Sequence, residues 1–227
     1  MLGYKREPSQ GALLNWFQTF TGKLADIADP TPEMVDIEDI AHALSMTCRF
    51  GGHCRDFYSV AEHSVLAEHI GSWFRFMENN THDAQYSLCL LLHDAAEAYV
   101  GDVITPLKRA LDFTEARPGG IIPCSLRELE HRWLSAIGQK FGLGDLLIDP
   151  SEIMKRADSC ALAVEAVALF HPVRVEWWDN REHPNPDDGW TVNCWTPAEA
   201  CRRFLDRFRR LYKKLHGEIG WREECYK

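Results

Sequence analysis

His63, the adjacent pair His93 and Asp94, and the later Asp158 combine two imidazoles with two carboxylates, each in a segment that reads as helix. A mixed nitrogen and oxygen set of this kind suits a divalent first-row metal and leaves coordination positions for water and substrate. His93 and Asp94 follow the apolar run Leu88 to Leu92, so two polar groups arrive where a core face should be. Such groups need partners or a metal. Glu97, four residues after His93, falls one turn further along the same helical face, from which it can reach an attacking water as a base. Asp102 follows at the turn Gly101-Asp102, and Thr105-Pro106-Leu107-Lys108-Arg109 then sets a hydroxyl and cations beside the acids. Acids for metal and water next to cations for phosphate is what metal-assisted phosphoester hydrolysis requires. Singly, each residue is ordinary: a core histidine, a solvated helix glutamate, a turn aspartate, a surface lysine. Their order along the chain carries the argument.

The elements that must position these groups are helical. Four starts share one chemistry, an oxygen-bearing cap with Glu three positions later to answer the cap's own amide: Ser59 with Glu62, Ser125 with Glu128, Asp149 with Glu152, and Thr196 with Glu199. Pro150 and Pro197 stand at the first helical position of the last two, where the missing amide hydrogen costs nothing. A fifth start at Asp36 opens a helix over Ile37 to Met46, and a sixth helix is expected from Tyr86 to Val100, ending at Gly101. Strand signal is weak, Val173 to Trp177 being the best alternating stretch. The expected fold class is therefore all-α, with irregular chain at 1 to 35, 112 to 124 and 171 to 195. The last of these is a Trp-rich loop whose Trp177, Trp178, Trp190 and Trp195 read as packing anchors.

A chain of 227 residues, 45% of them apolar, can bury one sizeable core, and a single domain over 1–227 is expected. The run Leu88 to Leu92 falls far short of the roughly 20 apolar residues that a bilayer crossing requires, so no membrane span is expected. Residues 1 to 10 carry no secretory pattern. The eight scattered cysteines, none in a Cys-x-x-Cys pair, read as reduced thiols of a cytoplasmic protein. A formal net charge of −9 repels nucleic acid at long range and favours a small phosphate-bearing ligand met by a metal or a local basic patch.

The segments Ala61-Glu-His-Ser64, Leu92-His-Asp-Ala-Ala-Glu97, Gly101-Asp102, Thr105-Pro-Leu-Lys108 and Lys155-Arg-Ala-Asp158 resemble, in order, the motifs of HD-domain phosphohydrolases. The likeness covers roughly residues 36 to 170 and is closest to the bacterial 5′-deoxynucleotidase subgroup and its phage and bacterial relatives that are deoxynucleoside triphosphate triphosphohydrolases. It implies an HD-domain helical bundle with the C-terminal helix, 196–216, packed on it. In that bundle His63, His93, Asp94 and Asp158 would bind one divalent ion, of Mn, Co, Zn, Ni, Fe or Mg. It further implies that Glu97 and Asp102 position and deprotonate the attacking water or protonate the leaving oxygen, with room for a second divalent ion beside them. Arg49-Phe50 matches the arginine and aromatic pair that this subgroup carries shortly before the first histidine, where the best-known members have Trp. Arg49 would then bind phosphate and Phe50 would pack on the sugar or base, an apolar contact near C2′ disfavouring ribose. His53, in Gly51-Gly-His-Cys-Arg55, is either a loop or capping histidine or a further phosphate contact, and Lys108 is a second cation for substrate.

The expected function is hydrolysis of the 5′ phosphate of a deoxynucleoside monophosphate. A deoxynucleoside triphosphate triphosphohydrolase stands next to it, and a cyclic-nucleotide phosphodiesterase comes third. All are enzymes with a small nucleotide as partner, no stable nucleic-acid partner and no membrane, and a homo-oligomer is left open. The non-enzyme alternative is a nucleic-acid or partner-binding module built on the C-terminal helix. There Phe204, Leu205, Phe208, Leu211, Tyr212 and Leu215 recur at helical spacing and leave a basic outer face.

Overall fold

A computed structural model of the chain describes residues 15–79, 83–115, 125–171 and 189–217. Those residues form a mostly helical protein of eight α-helices with one small two-stranded hairpin. Val173 to Trp177, with Trp177 and Trp178, lies outside the described residues.

The first helix, α1 (Ile37–Met46), begins where its cap places it: the Asp36 carboxylate accepts the Glu38 amide at 2.9 Å. Ahead of it, in a stretch expected to be irregular, Trp16–Gln18 and Leu24–Asp26 pair antiparallel as strands β1 and β2. The hairpin turn is tied to α1 through Asp39, which accepts the Thr21 amide at 2.6 Å and the Thr21 hydroxyl at 2.9 Å. A three-residue strand is too short for alternation to register, which is why the pattern missed it.

The longest helices, α2 (Val60–Asn79) and α8 (Pro197–His216), start at the expected caps: Ser59 Oγ accepts the Glu62 amide at 3.1 Å and Thr196 Oγ1 the Glu199 amide at 3.4 Å. The expected reciprocal bond is not made. Glu62 instead turns its carboxylate to the distant amides of Asn193, Cys194 and Trp195, and Glu199 pairs with Arg202 and Arg203 one turn along its own helix. Helix α7 (Glu152–Leu169) has Ser151 rather than Asp149 at its N-cap position, with no capping bond from the Ser151 side chain, so Pro150 lies before the helix. Ser125 caps α6 (Leu126–Phe141) as expected.

The helix expected over Tyr86 to Val100 is broken. It divides into α3 (Ala84–Leu91) and a single turn, α4 (Glu97–Val100), with His93 and Asp94 in the turn between them. Bonds three residues apart hold this turn, among them Ala95 N to Leu92 O at 2.9 Å and Glu97 N to Asp94 O at 3.0 Å. Apolar spacing alone does not separate such a tightened turn from an α-helix. Helix α5 (Thr105–Glu115) then begins at the Thr-Pro pair.

Helix α2 is central, packing against α1, α3, α7 and α8, while α8 also covers α1 and α3. Phe204, Leu205, Phe208 and Leu211 of α8 are buried in the core, and Tyr212 and Leu215 pack against it. Gly71 sets the crossing of α2 with α3 and α7, because a Cβ there would stand 2.2 Å from Leu90 Cδ1 and 3.1 Å from Ala157 Cβ. The absence of a side chain therefore brings the helix of His63 close to the helix of Asp158.

Candidate metal centre

Four side-chain atoms from three parts of the chain converge. His63 Nε2 of α2 lies 3.2 Å from His93 Nε2, 3.4 Å from Asp94 Oδ2 and 3.2 Å from Asp158 Oδ1 of α7. His93 Nε2 lies 3.3 Å from Asp94 Oδ2 and 3.7 Å from Asp158 Oδ1. Donors about 2.1 Å from one shared ion stand roughly 3.0 to 3.4 Å from each other, so this spacing suits a common metal. His63, His93 and Asp94 form the tightest part, one atom of each within 4.8 Å of the others, and Asp158 reaches both imidazoles from the more open side.

The far sides of the rings fix what the near sides present. His63 Nδ1 meets Glu165 Oε1 at 2.5 Å, and His93 Nδ1 meets the Leu90 carbonyl at 2.7 Å. A carboxylate and a carbonyl only accept, so each Nδ1 carries the hydrogen and each Nε2 turns a lone pair to the centre. Two such lone pairs 3.2 Å apart repel unless a cation lies between them. Protons do this in the metal-free protein: burial works against charge on His93, yet Asp94 and Asp158 hold its imidazolium well above the usual range. Burial would likewise raise Asp94, but His93, His63 and Arg49 hold it below the usual carboxylate range. The donor set and its tautomers fit a divalent ion.

Arg49 sits at the edge of this group. Its Nη1 is 3.3 Å from Asp94 Oδ2, and its Nε is 3.3 Å from Glu165 Oε2 in an ion pair that lacks hydrogen-bond geometry. Burial opposes the charge, but Glu165, Asp94 and Asp158 keep the guanidinium firmly protonated. The backbone that presents it is unusual, with Phe50, Gly51 and Gly52 all at positive φ (59°, 60° and 78°). A left-handed phenylalanine is held by its surroundings. Its ring meets Phe170 edge-on at 5.0 Å, Arg49 N donates to Tyr58 O, and the Arg55 amide and guanidinium bind the carbonyls of Leu169 and Ala168 at the end of α7. His53 closes this turn as its cap and is exposed.

Glu97 is buried and its Oε2 finds no donor among the described residues. Burial, then the charges of Asp94 and Asp102, push its carboxyl well above the ordinary value. Asp102, half-buried after α4, is raised by burial against the pull of Arg49. Lys108 Nζ lies 2.7 Å from Glu130 Oε1 and 3.9 Å from Glu97 Oε1, so this cation is held among acids on α4 and α6.

Two residues of the centre were not anticipated. Glu165 is fully buried and touches His63, Arg49 and the Tyr58 hydroxyl, the last at 3.0 Å. The signal was present: a lone carboxylate in the apolar run Ala161 to Leu169, seven residues after Asp158 and hence on the same face of α7. Tyr58 had no such signal. No disulfide joins the described cysteines; Cys48 and Cys54 flank the Arg49 turn at 3.8 Å between sulfurs, and burial pushes Cys54 up to about 11. No described helix is long and apolar enough to cross a membrane.

Fold and site together define a mostly helical protein with a buried His, His and Asp group able to hold a metal ion. No protein-family model matches the chain. It is 33% identical over 207 residues to the uncharacterized protein RCAP_rcc00048 of Rhodobacter capsulatus, covering 89% of this chain and 98% of that protein. It is 29% identical over 198 residues to the uncharacterized protein YfdR of Escherichia coli, covering 87% and 96%. The chain belongs to the family of RCAP_rcc00048.

Proposed function

We propose that this chain is a metal-dependent phosphohydrolase of the HD-domain kind that converts a deoxynucleoside monophosphate to deoxynucleoside and orthophosphate. The observation that carries this reading is the guanidinium of Arg49 against Asp94, beside the converging His63, His93 and Asp158 donors. It puts a planar cation for phosphate oxygens next to a metal group.

A divalent ion held by His63, His93, Asp94 and Asp158 would supply Lewis acidity to the phosphoryl oxygens and ease deprotonation of water. The chain's own residues do the rest. Arg49 grips the phosphate, and Phe50 beside it lies against the sugar, where its ring crowds a 2′-hydroxyl. Glu97, kept protonated by burial and its acidic neighbours, donates its proton to the 5′ oxygen as the P–O bond breaks. Asp102 takes the proton released by the water that attacks phosphorus. Lys108 limits the charge that Glu97 then carries.

Purified protein, loaded with each candidate metal in turn, is incubated with panels of deoxy- and ribonucleoside mono- and triphosphates, and the phosphate product is identified. Orthophosphate from deoxynucleoside monophosphates supports the proposal. Tripolyphosphate from triphosphates replaces it with the triphosphohydrolase reading. No phosphate from any substrate, with an Asp94→Asn control showing that metal was bound, overturns it.

A further inference from the structure

A cavity of about 560 Å³ opens between α2, residues 189–195 and α8, and none of the metal-centre residues lines it. That volume is in the range of sites for small organic ligands. Helix α8 contributes Arg202, Arg203, Arg207 and Arg210, opposite Val65, Leu66 and His69 of α2. Trp190 and Trp195 line the same space, and the buried Trp190 Nε1 meets no acceptor among the described residues.

The arginines are only partly committed to the protein. Arg202 is held by Glu199 and Asp206, Arg203 uses Nε on Glu199, and Arg207 uses Nε and Nη2 on the buried Glu68. Among the described residues this leaves both terminal nitrogens of Arg203, Nη1 of Arg207 and the whole Arg210 guanidinium without an acceptor. The Arg203 guanidinium lies 4.5 Å from the Trp195 ring centre, so cationic and planar surfaces adjoin. Of the two acids that line the cavity, Glu62 accepts the amides of Asn193, Cys194 and Trp195 at 2.6 to 3.1 Å, and Asp206 pairs with Arg202 at 3.0 Å. Glu62 thereby fixes the tryptophan segment, and the four arginines of the lining outnumber its two acids.

We propose that this cavity binds a nucleoside phosphate, its base against Trp190 and Trp195 and its phosphates on Arg203, Arg207 and Arg210, at a site separate from the metal centre. Indole faces stack with any base, and guanidinium forks grip phosphate oxygens in pairs, so the two surfaces together select a ligand that carries both groups. The site does not require that the protein be a hydrolase.

The test is calorimetric titration of the full chain, metal removed by chelation, with dATP, tripolyphosphate and deoxyadenosine as probes. The expected result is dATP binding at least about tenfold tighter than either fragment, unchanged by Asp94→Asn and weakened about tenfold or more by Arg203→Ala with Arg210→Ala. Arg210 is exposed and makes no ion pair among the described residues, so the single Arg210→Ala variant, with an unchanged melt, separates lost contact from lost fold. Wild-type affinity in the double arginine variant overturns the proposal, as does tripolyphosphate binding as tightly as dATP. So does dATP binding that depends on Arg49 instead, or displacement of dATP by a short single-stranded oligodeoxynucleotide at lower concentration than by dATP itself. If hydrolysis fails everywhere but arginine-dependent dATP binding persists, the proposed function falls and this site stands.

Discussion

Glu165 Oε1 lies 2.5 Å from His63 Nδ1, across an interval of 102 residues, and the two side chains are fully buried. Burying a carboxylate is costly unless it is paired, and here it is paired three ways, with His63, Arg49 and Tyr58. It thereby orients the ring whose other nitrogen faces the metal group.

Glu165→Gln keeps the size of the side chain but removes the charge that fixes the His63 tautomer. Metal affinity should fall roughly 10- to 100-fold, as when an outer partner of a ligating histidine is lost. Metal titration followed by elemental analysis reads this directly. Undiminished affinity in a folded variant would reduce Glu165 to a core ion pair.

Arg49→Lys keeps a positive charge beside Asp94 but loses the planar fork. On the proposed reaction it should lower kcat/KM by on the order of tenfold or more while metal content stays full. Steady-state kinetics with a thermal melt as control checks it. Unchanged kcat/KM would leave Arg49 only its contacts to Asp94 and Glu165.

The metal-free centre should be sensitive to alkali. His93 is held protonated well above its ordinary range, so its imidazolium contributes stability that is fully present below the unfolded value and lost as pH rises through the folded one. Melts of chelated protein should therefore fall as pH rises above the ordinary histidine range, where they would otherwise be flat. Added divalent metal should abolish that slope and release protons on binding, with affinity rising with pH. A chelated protein equally stable throughout would show that the acids do not hold His93 charged.

Gly71→Val tests the helix crossing beneath the site. A side chain there runs into Leu90 and Ala157, and Ala157 precedes Asp158 in α7. Overpacking of this kind costs about 1 to 3 kcal/mol, and denaturant unfolding should show it. Metal affinity should drop with it, because α2 and α7 separate. A stable variant with normal affinity would mean that the crossing is loose.

What the sequence determined by itself was local. Asp36, Ser59, Ser125 and Thr196 mark helix starts because a cap bonds amides two or three residues away, a reach that the order of residues contains. His93 and Asp94 were legible for a related reason, since rare polar types that interrupt an apolar run must be used for something, whereas His63 and Asp158 were picked out by the order of motifs in the family resemblance. The tertiary structure decided whatever depends on atoms that meet across long intervals. It broke the helix at Leu92, where apolar spacing continues unchanged through the turn that aims His93 and Asp94 inward. It turned Glu62 from a cap partner into the latch of residues 193 to 195, and brought Glu165 onto His63. It also made the arginine face of α8, which reads in sequence as a solvated surface, into one wall of a cavity closed by Trp190 and Trp195. A carboxylate or guanidinium has the same helical spacing whether it faces water or a partner. Which of these it meets is set by how the helices cross, and at Gly71 that crossing rests on the absence of a side chain.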